Sequence, residues 1–147
     1  MMKLSTKGRY GVRLMLDLAL HEGKGPVLLR DIAQRQEISE KYLWQLINPL
    51  KAAGMIKSLR GAHGGYMLGQ KATDINLKQI LTILEGSLCL VDCVDNPTSC
   101  DRAPTCISRD VWASATKGFH DILTSMTLEK MVEEHFKKAN NFTGYNI

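Results

Sequence analysis

The sequence predicts a mainly α-helical fold with a small β-wing: a winged helix–turn–helix domain followed by a long dimerisation helix. Three observations carry this reading. Successive helical stretches give way, after Gly54, to strict alternation around a glycine-rich turn. Basic residues concentrate in the first half of the chain. A second long apolar stripe, Ile107 to Met126, lies beyond the segment that already makes a compact core.

The first helix is predicted from Thr6 to His21, where Tyr10, Val12, Leu14, Met15, Leu18 and Ala19 largely follow helical spacing. Gly23–Pro26 breaks the chain. A short helix in VLLRDIAQRQEIS turns Leu29, Ile32 and Ala33 inward. Ser39 is a favourable N-cap for EKYLWQLINPLKAAG, whose buried stripe is Leu43, Leu46, Ile47 and Leu50 and whose C′ stop is Gly54. Pro49 lies inside that helix and predicts a kink or irregularity near Ile47, because it lacks an N–H for the ladder. MIKSLRG and YMLG then alternate as two strands joined by GAHGG, with Gly61, Gly64 and Gly65 assigned to positive φ.

INLKQILTILEG forms another amphipathic helix ending at Gly86. Ile107, Val111, Trp112, Ala115, Phe119, Ile122, Leu123 and Met126 mark the long helix, read as pairing with its copy across a twofold axis. TLEKMVEEHFKKA gives a last helix with a Thr127 cap and a Lys137–Lys138 end, and NNFTGYNI is expected to be loose. The organisation is thus a winged helix–turn–helix domain at 1–86 and a cysteine-rich loop at 87–105. The dimerisation and C-terminal helices follow at 106–147, packed with the N-terminal helix.

A length of 147 residues with 44% apolar content suits one folded domain. No run approaches the eighteen or so apolar residues that span a bilayer. Asp17 and the helical spacing around it argue against a signal peptide, so a cytoplasmic protein without a membrane partner is expected. The net charge of +4 conceals an asymmetry: residues 1–72 carry twelve Lys/Arg against five Asp/Glu, and residues 73–147 seven against ten. A basic half joined to an acidic half points to a polyanion met by the first alone.

In a helix–turn–helix the second helix enters the major groove with its N-terminal residues toward the base edges. The candidates there are Ser39, Glu40, Lys41, Tyr42, Trp44 and Gln45. Gln45 can pair bidentately with adenine, and Lys41 and Tyr42 suit phosphate or base contacts. Lys3, Lys7, Arg9, Lys57 and Arg60 suit phosphates, with Arg60 beside the wing also fitted to a narrow minor groove. His63 at the wing tip is a backbone contact candidate; for it and Lys57 a solvated surface role weighs equally.

CLVDCVDNPTSCDRAPTCISRD, from Cys89 to Asp110, holds all four cysteines. The pattern Cys89-x3-Cys93-x6-Cys100-x5-Cys106 lacks the CxxC knuckles of structural zinc and the CxxCxxC run of bacterial ferredoxins. Soft thiolates favour iron–sulfur, zinc or Cu(I), and spacing alone leaves zinc, cluster and thiol switch open. No Ser/His/Asp constellation, phosphate loop or carboxylate pair suggests an enzyme.

KLSTKGRYGVRLMLDLA, ISEKYLWQL and KAAGMIKSLRGAHGGYMLG, with ILEG before the loop and TLEKMV near the end, resemble the IscR/CymR family of bacterial winged-helix repressors. The resemblance implies a homodimer with swapped contacts through a long helix, binding double-stranded DNA at an imperfect palindrome with half-sites about one helical turn, roughly 34 Å, or a multiple of it apart. It also implies an iron–sulfur cluster, [2Fe–2S] or [4Fe–4S], on Cys93, Cys100 and Cys106, sensing iron–sulfur, redox or nitric oxide status. Arg109 stands where IscR has its histidine ligand, and Gly8 and Arg9 where some relatives have an acidic one. Cys89 is the local candidate for the fourth ligand, against a reading in which it caps the preceding helix. Trp44 replaces the glutamate of IscR-type members. The CymR branch implies instead a regulator of cysteine and sulfur metabolism with an enzyme partner, its thiols a switch or a zinc site. The alternative from another class is a small iron–sulfur electron-transfer protein.

Overall fold

The computed structural model describes residues 3–145, with side chains to Phe142. Helices α1 (Thr6–Leu20), α2 (Leu29–Gln36) and α3 (Glu40–Ala52) precede a hairpin of β1 (Ile56–Leu59) and β2 (Gly65–Leu68). There follow α4 (Leu77–Glu85), a one-turn α5 (Asp92–Asp95), the long α6 (Ile107–Ser125) and α7 (Leu128–Tyr145). The expected winged helix–turn–helix is therefore present.

Helix α1 is the axis of the core. Leu14, Met15 and Leu18 are fully buried with Ile32 of α2, Leu43, Leu46, Ile47 and Leu50 of α3, and Ile80 of α4. Its N-terminus is capped twice: Ser5 Oγ accepts from Gly8 N at 3.3 Å, and Glu85 Oε1 of α4 accepts from the same N–H at 3.0 Å. Gly8 and Gly11 let α4 approach: a Cβ on Gly11 would lie 2.0 Å from Leu84 Cδ1. Asn76 and Gln79 cap α4 reciprocally.

Ser39 caps α3 as expected, accepting from Tyr42 N at 3.1 Å. At the other end Met55 N bonds to Leu50 O at 2.9 Å and Gly54 N to Lys51 O at 3.0 Å, with Gly54 at φ 78°, the Schellman closure. Pro49, expected to disturb the helix near Ile47, does not end it: α3 continues through Pro49 to Ala52. Buried Leu46, Ile47 and Leu50 hold the helix on both sides of the lost bond.

The strands pair Ile56 with Leu68 through to Leu59 with Gly65, and Val27 extends the ladder by two 2.8 Å bonds to Tyr66. Gly61 (φ 108°) and Gly65 (φ 151°) take positive φ. Gly64 does not, and its requirement is steric: a Cβ would lie 2.2 Å from the Leu59 carbonyl oxygen.

Beyond the wing, Leu77 N bonds to Met126 O and Leu128 N to Ile75 O, so the α6–α7 joint is stitched to the start of α4. Leu128, Met131 and Val132 then seat α7 on the core, against α1. The tail expected to be loose is helical to Tyr145, which puts Lys137 and Lys138 in mid-helix rather than at the terminus, removing their dipole role. Asn146 and Ile147 lie outside the described residues. No helix among the described residues is long and apolar enough to cross a membrane.

Candidate nucleic-acid interface and cysteine loop

The burial of Leu43, Leu46, Ile47 and Leu50 leaves one exposed stripe on α3: Lys41, Trp44, Gln45 and Asn48, at i, i+3, i+4 and i+7. Ser39 and Glu40 stand exposed at its start. Tyr42 is half-buried instead, its ring edge-on to Tyr10 of α1 at 5.9 Å and 88°. Asn48 completes the stripe but was invisible to a reading confined to the first turns; the period from Lys41 would have found it.

The helix–turn–helix is fastened by a polar lock that the sequence did not reveal. Asp17, 1% exposed among the apolar residues of α1, accepts from Arg35 Nε and Nη2 at 3.0 and 2.8 Å and from Gln36 Nε2 at 2.9 Å. Arg13 donates to Gln36 Oε1 at 3.2 Å and to the Gln36 carbonyl oxygen. The Asp17 hydrogen bonds raise the Arg35 guanidinium above its already high pKa. The signal available was a carboxylate interrupting the stripe Leu14–Leu18.

Lys57, Arg60 and His63 are all exposed on the hairpin, the last two at its tip. Lys3, Lys7 and Arg9 are exposed too, and Lys3 and Arg9 also border a mainly apolar groove with Leu81, Leu88, Phe119 and Leu123. Their groove thus belongs to the α1–α4–α6 side of the molecule.

The thiols occupy the irregular segment between α4 and α6, and all four are free. Cys89 Sγ donates to Asp95 Oδ1 at 2.7 Å, and Ser87 Oγ donates to the second oxygen of the same carboxylate. Burial, followed by the Asp95 contact, pushes the Cys89 thiol up; hydrogen bonds from Cys89 and Ser87 hold the Asp95 carboxyl below its usual range. Cys89 does not cap α4, whose C-cap is Gly86. Cys106 is the N-cap of α6, accepting from Arg109 N at 3.4 Å, and Arg109 Nε donates to the Cys93 carbonyl at 2.9 Å. Arg109 therefore ties two candidate ligand segments together without being a ligand itself. Cys100 is exposed.

Among the described residues, no three His, Cys, Asp or Glu side chains converge as a metal site. The donor set suits a cluster or zinc by its softness and accessibility. Bringing Cys93, Cys100 and Cys106 to one point requires the loop to close further.

Helix α6 touches its own chain narrowly. Only Thr116 and Leu123 are buried, whereas Ile107, Val111 and Ile122 are 75%, 54% and 67% exposed, with Trp112 and Phe119 beside them.

A recognition helix with one polar exposed stripe, a glycine-tipped wing and a basic N-terminal half define a DNA-binding transcription regulator of the winged helix–turn–helix class. The chain belongs to the Rrf2 family, described as iron-dependent transcriptional regulators, which it matches over residues 4–134. It is 43% identical over 133 residues to Protein rrf2 of Nitratidesulfovibrio vulgaris, covering 90% of this chain and 89% of that one. The structure of CymR, the global cysteine regulator of Bacillus subtilis, superposes with a TM-score of 0.78 at 40% identity, covering 91% of this chain and 98% of that chain. The structure of T. potens IscR gives 0.75 at 42% identity, covering 91% and 88%. These relatives are transcription regulators, so the electron-transfer alternative loses its ground.

Proposed function

We propose that the protein is a homodimeric repressor that reads an imperfect DNA palindrome, with its operator affinity set by an iron–sulfur cluster on Cys93, Cys100 and Cys106. The observation that carries this reading is the location of Cys106. It is both a candidate ligand and the N-cap of α6, the helix whose uncovered apolar face calls for a second copy. Residues 1–86 then form the DNA-binding unit, 87–105 the sensing loop and 106–147 the dimer-forming and C-terminal helices.

A bound cluster supplies a crosslink that is sensitive to oxidants, nitric oxide and iron loss. The chain does the rest. Cys93 and Cys106 would be two of the residues holding the cluster, and Arg109 already links their segments, through the Cys106 sulfur and the Cys93 carbonyl, at the first turn of α6. A change there alters DNA affinity only through the difference in stability between the two placements of the paired α3 helices. Lys41, Gln45, Arg60 and the other exposed candidates supply phosphate and base contacts. Anaerobic reconstitution followed by visible absorption and operator titration tests the proposal. Cluster absorption with an affinity that changes on cluster loss supports it; affinity indifferent to the cluster defeats the sensing role.

A second reading is favoured by the Cys89–Asp95 contact and by the absence of convergence among the other thiols. Here the loop is a thiol switch or zinc site, and the regulator acts in cysteine and sulfur metabolism with an enzyme partner. Iron, zinc and acid-labile sulfide assays on protein purified without oxygen separate the two.

A further inference from the structure

Trp44 is out of character with its surroundings. It is 54% exposed at the centre of the α3 stripe, and its ring pairs with no other ring among the described residues. Its stripe neighbours Lys41, Gln45 and Asn48 are all polar, so it is not part of an apolar patch fit for another protein. The indole offers one N–H donor, no acceptor and a broad apolar face. Cytosine N4 needs an acceptor, which indole lacks. The one apolar group on base edges in the major groove is the C5-methyl of thymine.

We infer that Trp44 is a specificity-determining residue that selects a thymine in each half-site by packing its indole on the C5-methyl group. The inference rests on α3 being the reading helix. The neighbouring Gln45 suits adenine through bidentate pairing, so the two side chains together favour an A·T-containing step.

Duplexes selected from a random pool by the full chain, resynthesised with uracil for thymine one position at a time, provide the test. Uracil keeps the pairing and O4 and lacks only the methyl. At one thymine per half-site, uracil should weaken wild-type binding about fourfold, and about sixteenfold when both half-sites are changed. Trp44→Ala should bind thymine and uracil duplexes equally, and Trp44→Phe should retain most of the discrimination. Because the site is exposed, both variants should melt with the wild type. Sequence-selective binding with no uracil effect, or an effect unchanged in Trp44→Ala, overturns the methyl-reading role alone. Absence of any sequence-selective binding by the wild type overturns it together with the assignment of α3.

Discussion

Asp17 shows at the scale of one residue how the fold holds its reading helix. A carboxylate at 1% exposure requires a cation and hydrogen bonds, and Arg35 and Gln36 of α2 supply both. Asp17→Asn keeps the shape and removes the charge. Because Arg35 is 40% exposed, water screens part of the loss, and a destabilisation of about 1–3 kcal/mol is expected in urea unfolding. A wild-type midpoint would show that the lock contributes nothing. The Cys89–Asp95 contact has a pH window. Asp95's depressed pKa makes its share of the contact present above the ordinary carboxylate range and lost as pH falls through the depressed value. Cys89's pKa is raised first by burial and then by Asp95, so the protonated thiol that the contact needs is fully present below the ordinary thiol range and lost as pH rises through the raised value. At neutral pH iodoacetamide should therefore modify exposed Cys100 before Cys89, and Asp95→Asn should speed Cys89 labelling severalfold. Mass-spectrometric rates that put Cys89 first would contradict the contact. Ser39, Gly54 and Gly61 were legible in the sequence because a cap or a positive φ is a local demand. Asp17–Arg35 was not, because a pair eighteen residues apart declares itself only when two helices cross.

Elements were more legible than their ends. The helix order and wing followed from the change of hydrophobic period, but the turn between α2 and α3 hides a strained residue. Glu37 takes φ 55° and ψ 45°, the one non-glycine positive φ among the described residues. Glu37→Gly should relieve that conformation and raise stability by roughly 0.5–1 kcal/mol, read as a higher melting temperature. A lowered one would mean that the side chain has a role that outweighs the backbone cost. Helix α7 outran the sequence reading for a related reason. Asn140, Asn141 and Gly144 are weak helix formers, yet a helix already seeded by Leu128, Met131 and Val132 propagates through them at small cost per residue. The thiol loop was legible in composition and not in geometry, since its shape rests on contacts such as Arg109 to Cys93 that no spacing rule encodes.

At the scale of the whole molecule, the basic half carries the reading helix and wing, and the acidic half carries the loop and α6. Binding should weaken steeply with salt, and Arg60→Ala should flatten the log–log slope by about 0.9 per half-site if each arginine neutralises one phosphate. An unchanged slope would remove Arg60 from the footprint. The proposed dimer underlies the proposed function, since one α3 would read a single half-site, and α6 leaves Ile107, Val111 and Ile122 exposed. Sedimentation equilibrium of the full chain tests it most directly. The account predicts a mass twice the 16.4 kDa of one chain, falling to that of one chain in Ile122→Lys. A wild-type mass of one chain at micromolar concentration would contradict it.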